Sequence, residues 1–72
     1  MNFTPSREYV EQVRKNYLNK RVRLVYMGDI DAVPSGTLGT VVLVDDIGQL
    51  QMKWDNGRTL AINPQTDRFQ LV

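Results

Sequence analysis

The 72-residue sequence contains no cysteine and no histidine, and it has one tryptophan, three tyrosines and two phenylalanines. Without cysteine there is neither a disulfide nor a thiolate nucleophile. Without histidine the commonest general base and a frequent zinc ligand are missing as well. The sequence also shows no nucleophile elbow and no phosphate-binding loop. We therefore expect a protein that is not an enzyme and that uses no metal and no cofactor.

Long hydrophobic runs are absent too, and the N-terminus has the mixed polar character that a signal peptide lacks. These features predict a cytoplasmic protein that does not contact a membrane. A chain of this size buries only about 60% of the surface that it exposes when unfolded. We therefore expect one compact domain over residues 1–72.

A β-hairpin with its tip at residues 55–57 is the strongest local prediction. Apolar residues alternate on both sides of the tip: Leu50, Met52, Trp54, Leu60 and Ile62. A two-residue turn would put the two apolar rows on opposite faces of the sheet. A three-residue loop with Gly57 in the left-handed conformation puts them on one face. In that register Leu50 lies opposite Ile62, Met52 opposite Leu60, and Trp54 opposite Arg58.

The rest of the chain predicts one helix and three more strands. Helical spacing of apolar residues predicts a helix over 5–18, capped by Thr4, opened by Pro5 and stopped at Asn19. Strands are predicted over 20–26, 38–44 and 68–72, with a single helical turn at 63–66. This order, with a long loop after the first strand, is typical of a five-stranded SH3-like β-barrel over 20–72 with an N-terminal helix.

Alternation also predicts which strand residues share a face. Val22, Leu24 and Tyr26 share one face of the first strand, and Phe69 and Leu71 are expected in the core. The segment 38–44 is apolar on both faces, so we expect it to be buried on both sides or to bend at Gly39.

Four motifs resemble one family of small bacterial domains. They are Gly-Thr-Leu-Gly-Thr-Val at 36–41, Val-Asp-Asp-Ile-Gly-Gln at 44–49, Trp-Asp-Asn-Gly at 54–57 and Asp-Arg-Phe at 67–69. The family is uncharacterised, has an SH3-like barrel, and occurs in bacteria, phages and other mobile elements. The resemblance covers residues 20–72 and leaves out the helix; Gln65 stands where relatives commonly have glycine. It implies an accessory protein of a mobile element rather than a reaction.

The first candidate site is a protein-binding rim formed by the long loop and the hairpin tip. Its residues are Tyr26, Asp29, Asp31, Trp54, Asp55 and Arg58. Aromatic and arginine side chains are favoured interface anchors, and acids on these loops select basic ligands in SH3 domains. We expect a host protein as the partner, and interference with host defence would suit such a protein. The competing interpretation makes Trp54 a core residue covered by Arg58 and makes the aspartates turn formers.

The second candidate site is a window of five cations without an acid: Arg14, Lys15, Lys20, Arg21 and Arg23. Such a window could follow the phosphates of a nucleic acid. A sponge for a small nucleotide signal, held by Arg21, Arg23 and Arg58, is a further alternative. The competing interpretation assigns the helix cations to the helix dipole and the others to a solvated strand face. A homodimer through the helix or an edge strand also stays open.

Overall fold

The computed structural model describes residues 5–72. Its elements are helix α1 (Arg7–Tyr17) and strands β1 (Arg21–Tyr26), β2 (Leu38–Val44), β3 (Leu50–Trp54) and β4 (Arg68–Leu71). The strands form one antiparallel sheet in the order β3-β2-β1-β4. The described part of the chain is therefore mainly β, with one open sheet of four strands and one helix, instead of the five strands that we expected.

Helix α1 begins and ends through local hydrogen bonding. Ser6 is the N-cap, since its Oγ accepts a hydrogen bond of 3.0 Å from the N–H of Tyr9. Pro5 thus precedes the cap and does not open the helix, and Thr4 lies outside the described residues. Asn19 has a φ of 66° and follows the C-cap, so the predicted stop at this residue is confirmed.

The core lies between the sheet, α1 and the connections that cross the inner side of the sheet. Its buried residues are Val10, Val13, Val22, Leu24, Met27, Val33, Val41, Val44, Leu50, Met52, Trp54 and Ile62. Val10 and Val13 form the inward stripe of α1. The helix is also joined to β2 directly, because Nη2 of Arg14 donates to the carbonyl of Val44 at 3.1 Å.

A bulge in β1 overturns the expected placement of Tyr26. The pairing of β1 with β4 shifts between Leu24 and Tyr26, so Val25 is an extra residue on this strand. The extra residue reverses the facing of everything after it. Tyr26 is consequently 59% exposed, and Met27 takes the next inward position.

A second bulge explains why β2 is apolar on both faces without being buried on both. Its pairing with β3 shifts between Val41 and Leu43. Val41 and Val44 both point into the core, whereas Val42 and Leu43 are exposed. The expectation of burial on both sides is therefore wrong, and the irregularity lies at Val42 and not at Gly39.

Strand β4 lies at the edge of the sheet and buries less than expected. The ring of Phe69 is half-buried and meets that of Tyr17 edge to face, with centroids 5.1 Å apart. Leu71 is 54% exposed, so its predicted burial is wrong. An edge strand has a neighbour on one side only, which leaves its last residues uncovered.

The β2–β3 connection and the hairpin tip at residues 55–57 have the same kind of three-residue loop. In the β2–β3 connection, the N–H of Asp45 donates to the carbonyl of Gln49 (3.1 Å) and the N–H of Gly48 to the carbonyl of Asp45 (3.0 Å). Gly48 has a φ of 83°, the left-handed conformation that this loop requires at its last position.

The predicted turn at 63–66 is also present, because the N–H groups of residues 66 and 67 both donate to the carbonyl of Asn63.

Candidate functional site

The hairpin tip has the predicted three-residue loop. The N–H of Trp54 donates to the carbonyl of Arg58 and the N–H of Gly57 donates to that of Trp54, both at 2.9 Å. Gly57 has a φ of 89°. Leu50 and Ile62 form a β-bridge, as the predicted register requires.

Between these two points the return segment leaves the ladder. The indole N–H of Trp54 donates to the carbonyl of Leu60 at 2.8 Å. In a regular hairpin that carbonyl would accept from the backbone N–H of Met52. A buried indole needs an acceptor, and Leu60 supplies it. For this reason residues 58–62 form a single bridge instead of the expected fifth strand.

Trp54 is a core residue, with only 1% of its surface exposed. It cannot offer the exposed binding surface that the first interpretation required. Arg58 is exposed, and Nη2 of its guanidinium donates to the carbonyl of Asp31 in the long loop. The arginine thus ties the hairpin tip to the long loop.

Asp55 and Arg21 form a two-pronged ion pair that the sequence interpretation did not foresee. Nη1 and Nη2 of Arg21 each donate to one carboxylate oxygen of Asp55 at 2.7 Å. Nη1 also donates to Oγ1 of Thr40 at 3.2 Å. The hydrogen bonds from Arg21 lower the pKa of the Asp55 carboxyl, and the carboxylate raises the pKa of Arg21 in return. Asp55, from the first candidate site, and Arg21, from the second, are therefore already bound to each other.

The long loop displays an apolar residue between two acids. Oδ1 of Asp29 accepts a hydrogen bond of 2.8 Å from the N–H of Asp31, so Asp29 acts as a turn former. Ile30, which lies between them, is fully exposed at 100%. Buried Met27 and Val33 anchor the two ends of this part of the loop.

The window of five cations is divided between two elements. Arg14 is held by Oε1 of Glu11 at 2.7 Å and by the Val44 carbonyl, so it fastens α1 to the sheet. Lys15 is exposed on α1, and Lys20 is exposed just before β1. The small-nucleotide alternative requires Arg21, Arg23 and Arg58. Two of these arginines already have partners within the protein, since Arg21 is bound to Asp55 and Arg58 to the long loop.

We use the term outer face for the side of the sheet that points away from the core. Cross-strand pairing and alternation place twelve residues on it: Arg21, Arg23, Tyr26, Leu38, Thr40, Leu43, Gln51, Lys53, Asp55, Arg68, Gln70 and Val72. Arg23 is paired with Gln70, and Tyr26 with Arg68. The outer face therefore carries four cations against one carboxylate.

Lys53 and Arg68 are the functional candidates that sequence reasoning missed. Each stands next to a core-facing position in its strand, Lys53 between Met52 and Trp54 and Arg68 before Phe69. Alternation alone would have placed both on the outer side. What the sequence does not give is the strand order that brings them beside Arg21 and Arg23.

Residues 5–72 contain neither a cluster of metal-ligating side chains nor a membrane-spanning helix. No group of three or more acidic side chains there could hold a metal ion. No helix in the same range is both long and apolar enough to pass through a membrane. A cleft of about 200 Å³ between α1 and the β2–β3 connection is lined by Pro5, Tyr9, Ile47, Gln49, Asn63 and Gln65, none of them in either candidate site.

Comparison with known proteins identifies a family. No curated protein and no solved structure matches the chain significantly. A family model described as "Domain of unknown function (DUF4314)" matches residues 6–72. The match confirms the resemblance to an uncharacterised family of small domains, and it includes helix α1, which the motif resemblance left out. The chain therefore belongs to the DUF4314 family.

Proposed function

We propose that this domain is a non-enzymatic binding module that holds nucleic acid on the outer face of its sheet. The observation that carries the proposal is the exposed group of Arg21, Arg23, Lys53 and Arg68 on one face, opposed there by Asp55 alone. The other seven acids of the chain lie on α1 and on the connections between strands. This separation of charge would orient an approaching polyanion toward the sheet.

The cations of the outer face are distributed over strands β1, β3 and β4. Lys53 and Arg21 are both paired with Thr40, and neighbouring strands lie about 4.8 Å apart, so their backbones are about 10 Å apart. Exposed Tyr26, paired with Arg68, offers a ring on which a base can stack. A phosphate would compete with Asp55 for Arg21.

We also propose that the sheet and the return segment together form an SH3-like barrel. An SH3-like barrel that stays open at β4 would have a fifth strand beside β3, and the return segment with its Leu50–Ile62 bridge occupies that position. The pairing of the last strand with the first supports the assignment, as does the long loop between β1 and β2. Small barrels of this kind bind RNA and DNA through exposed strand faces.

Fluorescence anisotropy with labelled single-stranded RNA, single-stranded DNA and duplex DNA of mixed sequence tests the proposal. We expect binding at low salt that weakens as salt rises, because cations on the protein displace condensed counterions. The double variant Arg23→Gln/Lys53→Gln should lose roughly tenfold or more in affinity and show a shallower salt dependence.

A matched double variant on the helix serves as the control. Arg7→Gln/Lys15→Gln removes the same charge from exposed positions of α1. It should bind nearly as well as the wild type. Undetectable binding at low salt, or equal losses in the two double variants, would refute a role for the outer face.

A second candidate function is supported by Ile30, whose exposed side chain stands between two exposed acids on an anchored loop. This arrangement suits a protein partner that presents an apolar pocket with basic residues at its margin. A host protein is the partner we propose, with the domain acting as an accessory protein of a phage or mobile element, and interference with host defence is the corresponding role.

Affinity capture from bacterial lysate tests this second function. A partner recovered by the wild type should be lost with Ile30→Ser and kept with Ile47→Ser, since Ile47 is also exposed but lies in the β2–β3 connection. Equal recovery with both variants would exclude the long loop as the binding surface.

A further inference from the structure

Strand β4 has an unpaired side. It is last in the order β3-β2-β1-β4, so only β1 lies next to it. The N–H of Val72 donates to the carbonyl of Arg21 at 3.1 Å, which turns the backbone groups of Gln70 and Val72 toward β1. Those of Phe69 and Leu71 consequently point to the open side. Within residues 5–72, no other segment bonds to them.

We infer that a second copy of this chain pairs with β4 in antiparallel orientation, about a twofold axis at Gln70. In this register Phe69 of each copy lies opposite Leu71 of the other. These are the residues whose N–H and C=O groups point outward, so the two copies exchange four backbone hydrogen bonds. Gln70 then lies opposite itself.

The side chains agree with this register on both faces. On the inner side, Phe69 of one copy contacts Leu71 of the other, and the exposed part of Leu71 is covered. On the outer side, Arg68 lies opposite exposed Val72, so the two Arg68 side chains do not oppose each other. Like charges directly across a strand pair are unfavourable, and this register contains none. The edge is therefore complementary to itself.

The pairing would join two sheets into one of eight strands and make their outer faces continuous. The contact is short, since β4 spans four residues. Standard protein–protein interfaces bury about 1,600 Å², and a strand pair of this length is smaller than that. We expect dimerisation to appear only as the protein concentration rises. The inference stands on backbone register and is independent of nucleic-acid binding.

Sedimentation equilibrium over a wide concentration range tests the inference. The wild type should pass from monomer to dimer. Gln70→Lys and Gln70→Glu each place like charges opposite each other at the axis, and both should shift the midpoint to at least tenfold higher concentration. An equimolar mixture of the two variants should recover the dimer, because the introduced lysine of one copy then faces the introduced glutamate of the other.

Amide hydrogen exchange gives a second measurement that does not depend on any variant. The N–H groups of Phe69 and Leu71 should gain protection as concentration rises, whereas that of Gln70, which faces β1, should be protected throughout. A monomer at every concentration, failure of the mixed variants to recover the dimer, or unchanged exchange at Phe69 and Leu71 would each overturn the inference.

Discussion

A Cβ atom at position 39 would lie 2.6 Å from Cε3 of Trp54, so the indole occupies the space that a side chain at Gly39 would need. The added Cβ would also lie 3.2 Å from the carbonyl oxygen of Lys53, so it would be crowded by backbone as well. The only tryptophan of the chain is thus buried against a glycine of the neighbouring strand.

Gly39→Ala should destabilise the fold by about 1–3 kcal/mol, the usual cost of overpacking a dense core. Urea denaturation followed by circular dichroism measures the change. Gly28→Ala is the matched control, because its Cβ would come no closer than 3.5 Å to another heavy atom. Similar losses in the two variants would show that the contact with Trp54 is not the cause.

The glycines of the two three-residue loops separate backbone strain from crowding. Both have positive φ, but a Cβ at Gly57 meets nothing within 4 Å, whereas one at Gly48 would lie 2.9 Å from the ring of Tyr9. Gly57→Ala should cost about 1–2 kcal/mol, from left-handed backbone strain alone. Gly48→Ala should cost more, since the ring must also move. Thermal unfolding of the two variants measures both losses. An equal or smaller loss for Gly48→Ala would contradict the close contact with the ring of Tyr9.

The burial of Trp54 predicts its fluorescence. In the native state acrylamide should quench the emission weakly, and quenching should rise sharply when urea unfolds the protein. Strong quenching in the native protein would show that Trp54 is exposed, as the binding-rim interpretation requires.

Trp54→Phe keeps a ring but leaves the Leu60 carbonyl without its donor, which should cost about 1–3 kcal/mol in addition to the lost volume.

The pair between Arg21 and Asp55 predicts a dependence of stability on acid. The pKa of Asp55 is lower in the folded state than its ordinary value of about 3.9. The contribution of the pair is therefore present above that value and is lost as the pH falls through the lower folded pKa. The stability difference between the wild type and Asp55→Asn should shrink toward zero over this acid range.

Arg21→Gln provides the control for the acid dependence, because it removes the same interaction from the other side. Its stability difference from the wild type should fall over the same pH interval in urea titrations. If either difference persisted unchanged into strong acid, the ion pair would not be its source.

Local pattern was sufficient to predict the segments whose hydrogen bonds are close in sequence. The bounds of β2, the stop at Asn19 and the loop ending at Gly57 follow from alternation and turn chemistry, and the structure agrees. Pairing Leu50 with Ile62 required only the choice of loop length.

The bulges could not be predicted in this way. Each inserts one residue and reverses the facing of the residues that follow, yet neither Val25 nor Val42 has a glycine next to it to mark the place. The outer face was missed for a related reason. Bringing Lys53 and Arg68 beside Arg21 depends on strand order, which is a property of the whole chain.

The hydrogen bond between the Trp54 indole and the Leu60 carbonyl also affects how sheets of this protein can grow. It keeps the return segment beside β3 as an irregular cover, so that margin is shielded without presenting a regular ladder to a neighbour. Among residues 5–72 this leaves β4 as the one margin open to further strands. The inferred pairing at β4 would therefore end at a closed pair, and a fibril that needs two open margins would have no route to elongate.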